Sequence, residues 1–183
     1  MNMSLNEIES TSKKAARGAG YSWGLAEEAG KAVRWLCGRD IDGCAALAAL
    51  LNEVDAEELL DWSPQEIGGE WRARKETLCP LCAGAVLSDH AEALQTADVC
   101  FNAVTQPVLM VPFAAMVAQQ NDLTVRLVWS DVEATTDGDN VDLTGAPPER
   151  ATQVTVSSGG SVRTPNLRRS RGEPAPEVWR ALN

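Results

Sequence analysis

The chain has 183 residues, with 16 Lys and Arg against 26 Asp and Glu for a formal charge of -10; this argues against a general binder of duplex nucleic acid, whose affinity comes from Lys and Arg displacing phosphate counterions. A 44% hydrophobic content with 14 Gly and 9 Pro excludes a low-complexity chain and leaves enough apolar surface for a core without covalent staples. Residues 1–14 hold acids and hydroxyls where an export signal would carry a basic start and an apolar stretch, and the apolar runs at 44–51 and 108–118 are shorter than the ~20 residues of a membrane span.

In chain order, Ser4 and Glu7 make a capping-box pattern, and Leu5, Ile8, Ser12, Ala15, Ala16 and Ala19 share one helical face. A first helix over 5–19 is predicted. Ser22 caps a second helix whose inward face is Leu25, Ala29, Ala32, Val33 and Leu36, with Gly38 supplying a left-handed C-terminal position. Asp42 caps a third helix running to Leu51, apolar nearly all round and therefore expected between other elements.

Residues 55–77 read as a connection. Asp55 and Glu58 can cap a short turn carrying Leu59, Leu60 and Trp62, while Pro64, Gly68 and Gly69 interrupt any longer helix. Beyond it, 83–87 is predicted as a short buried strand, Ser88 or Asp89 as the cap of a helical stretch through Ala91 and Leu94, and 99–104 as helix or strand. Residues 108–111 read as a strand, and Pro112 opens a helix closing near Asn121. Val125, Leu127 and Trp129 alternate with Arg126 in the strongest β signal of the chain. The Asp137-Gly138-Asp139-Asn140 segment offers a turn between strands at 132–135 and 141–143, and 152–157 adds another. Short links predict antiparallel pairing.

From Ser158 the composition shifts to Gly, Pro, Ser and Arg, predicting a loosely ordered tail in which Val178, Trp179 and Leu182 dock back. The predicted class is α+β: an N-terminal helical subdomain (1–62) packed on a mainly antiparallel β-sheet with one or two further helices (63–157), sharing one core, followed by the tail (158–183).

Three constellations have chemical potential. Cys79-Pro80-Leu81-Cys82 resembles half of a zinc ribbon, because two thiolates two residues apart in a turn can face one Zn²⁺. His90 and Cys100 are available to complete a set, but their spacings do not match a second knuckle; the alternative is two small residues at the start of a buried strand. His90, the single histidine, follows Asp89, and an imidazole with a carboxylate partner can act as a general base. Sequence neighbours rarely face one another, so a helix cap beside a surface group is the competing reading. Asp40 and Asp42 in the Asp40-Ile41-Asp42-Gly43 loop can hold a hard cation or, for Asp42, cap a helix. The basic run Arg163, Arg168, Arg169 and Arg171 reads as solvated, and the six Trp divide between core packing and an interface or pocket.

The run at 15–32 (AARGAGYSWGLAEEAGKA), with Pro80-Leu81-Cys82-Ala83-Gly84 and Pro112-Phe113-Ala114-Ala115, resembles an uncharacterised bacterial domain-of-unknown-function family of short acidic proteins. That resemblance implies an α/β architecture and a small cytoplasmic protein, and brings no activity. The two opening helices followed by Gly38-Arg39-Asp40-Ile41-Asp42-Gly43 also resemble the start of the type-2 malate/lactate dehydrogenases, which use a nicotinamide cofactor and place a histidine in an Asp-Ser-His-Gly motif. Asp42 stands where that histidine would be, and the chain is far shorter than those enzymes.

The function expected is therefore a non-catalytic cytoplasmic binding or protein-interaction module, with a small molecule or protein as partner rather than duplex nucleic acid or membrane. The alternatives are a small enzyme using His90 and nearby carboxylates such as Asp89 in a cleft between the two subdomains, and a zinc-stabilised domain using Cys79 and Cys82.

Overall fold

The computed structural model describes residues 1–54, 56–163 and 165–183; the cap expected at Asp55 lies outside the described residues. The chain opens with β1 (Met3–Ser4), α1 (Leu5–Gly18), α2 (Trp23–Cys37) and α3 (Gly43–Glu53), then a 3-10 helix (Ala56–Asp61), β2 (Gln65–Ile67) and β3 (Glu70–Arg72). It continues with α4 (Pro80–Asp89), a 3-10 helix (Ala91–Gln95), β4 (Val99–Thr105), another 3-10 helix (Pro107–Met110) and α5 (Val111–Asn121). The remaining elements are β5 (Val125–Trp129), β6 (Val132–Thr136), β7 (Val141–Thr144), β8 (Arg150–Ser158), β9 (Arg171–Gly172) and α6 (Pro176–Leu182). This is an α+β protein. Two compact units divide it, Met1–Leu59 with Leu167–Asn183, and Leu60–Asn166.

In the first unit, the Ser4 hydroxyl accepts from the Glu7 N–H at 3.2 Å while the Glu7 carboxylate accepts from the Ser4 N–H at 2.8 Å, the reciprocal cap that starts α1. α1 then buries Ile8, Ser12 and Ala16. Ser22 caps α2 through the Leu25 N–H. Helices α1 and α2 approach closely at Gly30, where a Cβ would stand 2.8 Å from the Glu9 carbonyl oxygen. α3 buries Leu47 and Leu50 completely and packs on α1, α2 and α6, as its all-round apolar sequence predicts. Gly38 differs from expectation: it stays right-handed at φ -65°, and Asp40 takes the left-handed conformation at φ 65°. The tail docks back through Trp179 and Leu182, as its sequence predicts. Its β9 pairs antiparallel with β1, Met3 opposite Gly172, and α6 buries Trp179 and Leu182, because two large apolar side chains at helical spacing have a surface to cover.

The second unit is built on a seven-stranded sheet in the order β2-β3-β4-β8-β5-β6-β7, antiparallel except for the parallel β3–β4 pair. α5 packs on β5 and β6, α4 packs on β4, and the two helices pack on each other. Val125, Leu127 and Trp129 are buried and Arg126 exposed, matching the predicted alternation. The β6–β7 hairpin turns at the Asp-Gly pair, Gly138 having φ 97°. Two segments correct the sequence reading. Residues 83–87 lie inside α4 instead of a strand, since Pro80 at its first turn sets a helical φ and a short apolar run has no period to separate the two states. Residues 108–111 fall in the 3-10 helix and the start of α5, because Gln106 (φ 42°) breaks β4 and Pro107 begins a helical turn. The β2–β3 hairpin was not anticipated; its signal was the two-residue Gly68-Gly69 loop, both at positive φ, which suits a primed turn.

Candidate functional site

The loop joining α2 to α3 in the first unit is held from several sides. Backbone N–H groups of Gly38 and Ile41 donate to the carbonyls of Arg34 and Leu36, and Asp42 accepts from the Ala45 N–H at 2.9 Å to cap α3. The tail closes over it: the Arg169 N–H donates to the Gly38 carbonyl at 2.9 Å, and the Arg169 guanidinium pairs with Asp40 at 3.2 Å. The N-terminal ammonium donates to the Pro174 carbonyl, tying down the segment after β9. Between loop and tail lies a pocket of about 130 Å³, walled by Cys37, Asp40, Ile41 and Asp42 on one side and by Gly172, Glu173 and Pro174 on the other. At Gly172 the tail packs closely on α1 and α2, since a Cβ would stand 2.7 Å from Ile8 Cδ1 and 3.4 Å from Cys37 Cβ.

At the base of this loop the Cys37 and Cys44 sulfurs are 3.9 Å apart, both buried and both free thiols. A hydrogen bond from Cys44 holds the Cys37 thiol below the ordinary thiol range against the opposing effect of burial, with help from the Gly43 and Cys44 backbone N–H groups at the start of α3. The same hydrogen bond, together with burial, pushes the Cys44 thiol up. The sequence reading missed this pair. Its signal was positional: one cysteine at the last residue of one helix and one in the first turn of the next.

The residues singled out from sequence fall in the second unit. Cys79 and Cys82 do come together: Cys79 is the N-cap of α4, Cys82 lies in its first turn, and a hydrogen bond to Cys79, with burial, raises the Cys82 thiol. They stand at a helix start instead of the start of a strand. His90 is the C-cap of α4, eight residues beyond Cys82, or about 12 Å along the axis at ~1.5 Å per residue. That distance keeps His90 from sharing with Cys82 a zinc ion whose ligand bonds are ~2.0–2.3 Å. Cys100, on β4, instead contacts the Thr155 hydroxyl. Among the described residues, no group of three or more His, Cys, Asp or Glu is arranged to hold a metal ion. His90 and Asp89 are exposed, and the imidazole lies against Trp71 at 5.1 Å between ring centroids, with Trp71 in turn stacked on Phe101.

Other sequence candidates have structural roles. Asp137 accepts from the Asp139 and Asn140 N–H groups inside the hairpin turn, and Asp142 accepts from the Arg163 N–H. Arg171 bonds to Asn2 across the β1–β9 pair. Of the six Trp, Trp129 and Trp179 are buried, Trp23 is 65% exposed with Lys13 and Arg17 over its ring, and Trp35 carries Arg39 at 3.7 Å.

Residues 3–78 match the model of the family described as Protein of unknown function (DUF3726). The DUF3726 match agrees with the resemblance to an uncharacterised domain family, and it takes in Cys37, Asp40, Asp42 and Cys44. No curated protein matches the chain. Among solved structures the chain is similar to malate dehydrogenase from Entamoeba histolytica, with 12% identity and a TM-score of 0.46, over 90% of this chain and 50% of that one. The chain therefore spans half the length of that enzyme. Among the described residues, no helix is long and apolar enough to cross a membrane.

Proposed function

We propose that the protein is a non-catalytic binding module whose pocket in the first unit takes the cationic end of a small ligand, a primary amine or a guanidinium. The observation that carries this reading is the pocket itself: Asp40, Asp42 and Glu173 line it together with the apolar walls of Ile41 and Pro174. Concave sites with an apolar wall and a few converging polar groups are where small ligands bind. At about 130 Å³ the space is smaller than the ~300–1,000 Å³ of a whole drug-sized ligand, so it fits an end group. A formal charge of -10 draws cations toward the surface. Each carboxylate is held in place, Asp42 by capping α3, Asp40 by Arg169 and Glu173 by the Asn2 side chain, an arrangement suited to holding charge in a fixed position. A cytoplasmic location belongs to the same reading, since five cysteines, an odd number, suit a reducing compartment.

Titration calorimetry of the full chain at low salt with spermidine and agmatine tests it, with acetate as the anionic control. Amine binding is expected, weakening with added salt and falling roughly tenfold, or about 1.4 kcal/mol, when Asp42→Asn and Glu173→Gln are combined. Asparagine keeps the α3 cap, so the comparison reads charge and not folding. Equal affinity in the double variant, or no heat with either amine, overturns the ligand class; turnover of a bound amine overturns the non-catalytic reading.

A further inference from the structure

The loop between α2 and α3 contains a second chemical capability that requires no bound ligand. Cys37 closes α2 and faces the pocket; Cys44 sits in the first turn of α3, and their sulfurs are 3.9 Å apart. We propose that Cys37 and Cys44 form a peroxide-oxidisable dithiol, in which Cys37 is the thiol that meets the oxidant in the pocket and Cys44 is the resolving thiol.

Access separates the two roles. Cys37 retains 8% exposure and lines the pocket, whereas Cys44 is completely buried and reaches nothing but its neighbours. Asp40, Asp42 and Glu173 around the same space repel an anion such as glutathione disulfide, and the volume admits a small neutral oxidant. Reactivity follows from the hydrogen bond of the Cys44 thiol to the Cys37 sulfur, helped by the Gly43 and Cys44 N–H groups at the start of α3, which together stabilise a thiolate against burial and the Asp42 carboxylate.

The chemistry balances with hydrogen peroxide as oxidant. The Cys37 thiolate attacks one peroxide oxygen, the O–O bond breaks, and the departing hydroxide takes a proton to leave as water. Cys37 is then a sulfenic acid, oxidised by two electrons. The Cys44 sulfur gives up its proton and attacks the Cys37 sulfur; an S–S bond forms, the S–O bond breaks and a second water leaves. Two thiols and one peroxide become one disulfide and two waters. Bonding at ~2.05 Å requires the sulfurs to close by about 1.9 Å from their present 3.9 Å. Both sulfurs belong to residues at helix ends, where side-chain rotation and a small shift of one terminus supply such a movement. The bond would lock the link between α2 and α3, and a small dithiol would reverse it.

Peptide mapping of the full chain decides this. Reduced protein is exposed to a small molar excess of hydrogen peroxide, remaining thiols are alkylated in denaturant, and the chain is cut with trypsin. Cleavage after Arg39 separates the two cysteines, so the expected product is a disulfide joining the peptides 35–39 and 40–72. It should form ahead of any oxidation at Cys100 or at Cys79 and Cys82. In Cys44→Ser the sulfenic acid persists on Cys37 and is trapped by dimedone; in Cys37→Ser oxidation of Cys44 slows at least about tenfold. Oxidation of Cys100 or of the Cys79/Cys82 pair first, with Cys37 and Cys44 both alkylated, overturns the proposal, as does a folded Cys44→Ser chain with no dimedone adduct on Cys37. The wild-type map decides the matter even where a serine variant does not fold. No amine is present in this experiment, so its failure and the failure of the ligand reading are separate outcomes.

Discussion

The ring of Phe113 on α5 lies directly against the backbone of Gly84 on α4: a Cβ built at Gly84 would stand 2.4 Å from Phe113 Cδ2. Phe113 is 3% exposed and has no room to retreat. Gly84→Ala is therefore expected to destabilise the protein by about 1–3 kcal/mol through overpacking, in spite of alanine's better helix propensity. Gly24, also helical, has nothing within 4 Å of its Cβ position, and Gly24→Ala should stabilise by up to about 1 kcal/mol. Urea midpoints of the two variants should move in opposite directions.

Asn166 protects an edge of the sheet. Its side-chain oxygen accepts from the Val141 N–H at 2.5 Å and its amide nitrogen donates to the Val141 carbonyl at 2.9 Å, so one side chain occupies the two backbone groups that Val141, at the start of β7, would offer a further strand. Asn166→Ala should cost about 1–2 kcal/mol by leaving these groups unpaired and should promote self-association. Denaturation together with light scattering at raised protein concentration checks both; a variant as stable and as monodisperse as the parent contradicts the assignment.

Asp137 makes the β6–β7 turn pH-sensitive. Burial raises its carboxyl, but donors from the Asn140 backbone and side chain and from the Asp139 N–H outweigh this and hold it below the ordinary aspartate value. A depressed folded-state value means that its stabilisation is fully present above the unfolded value of about 4 and is lost as pH falls through the folded one. The stability gap between parent and Asp137→Ala should thus be constant near neutrality and narrow below about pH 4. Urea midpoints measured from neutral to acidic pH give the curve, and a gap that widens in acid has the wrong sign.

Trp179 anchors the C-terminal helix. It is 8% exposed and Leu182 is 3% exposed, on the seven-residue α6 that packs against α3 and α1. Trp179→Ala should cost about 3 kcal/mol and make the chain after β9 susceptible to proteolysis. Limited digestion followed by intact mass reads this directly. Unchanged resistance would mean that α6 is held by other contacts.

Nearest neighbours account for what was legible without a structure. Ser4 with Glu7, Ser22 and Asp42 announce helix starts because the capping bond joins residues three apart, and Val125 to Trp129 announces a strand because its alternation is complete within five residues. The run at 83–87 had no such local key: an apolar stretch buried on all sides reads alike as helix or strand until its neighbours are known, and here Phe113 and β4 are those neighbours.

The chain on its own thus determined the three opening helices, the β5 alternation and the Asp137 turn, all decided by interactions a few residues long. Tertiary structure alone decided that Cys37 would meet Cys44, that Asp40, Asp42 and Glu173 would share one pocket, and that the surface covered by α6 and its Trp179 would be that of α3 and α1. Those juxtapositions depend on how loops close and how faces pack over long separations, where burial of apolar area selects among many closures that the local pattern leaves equivalent.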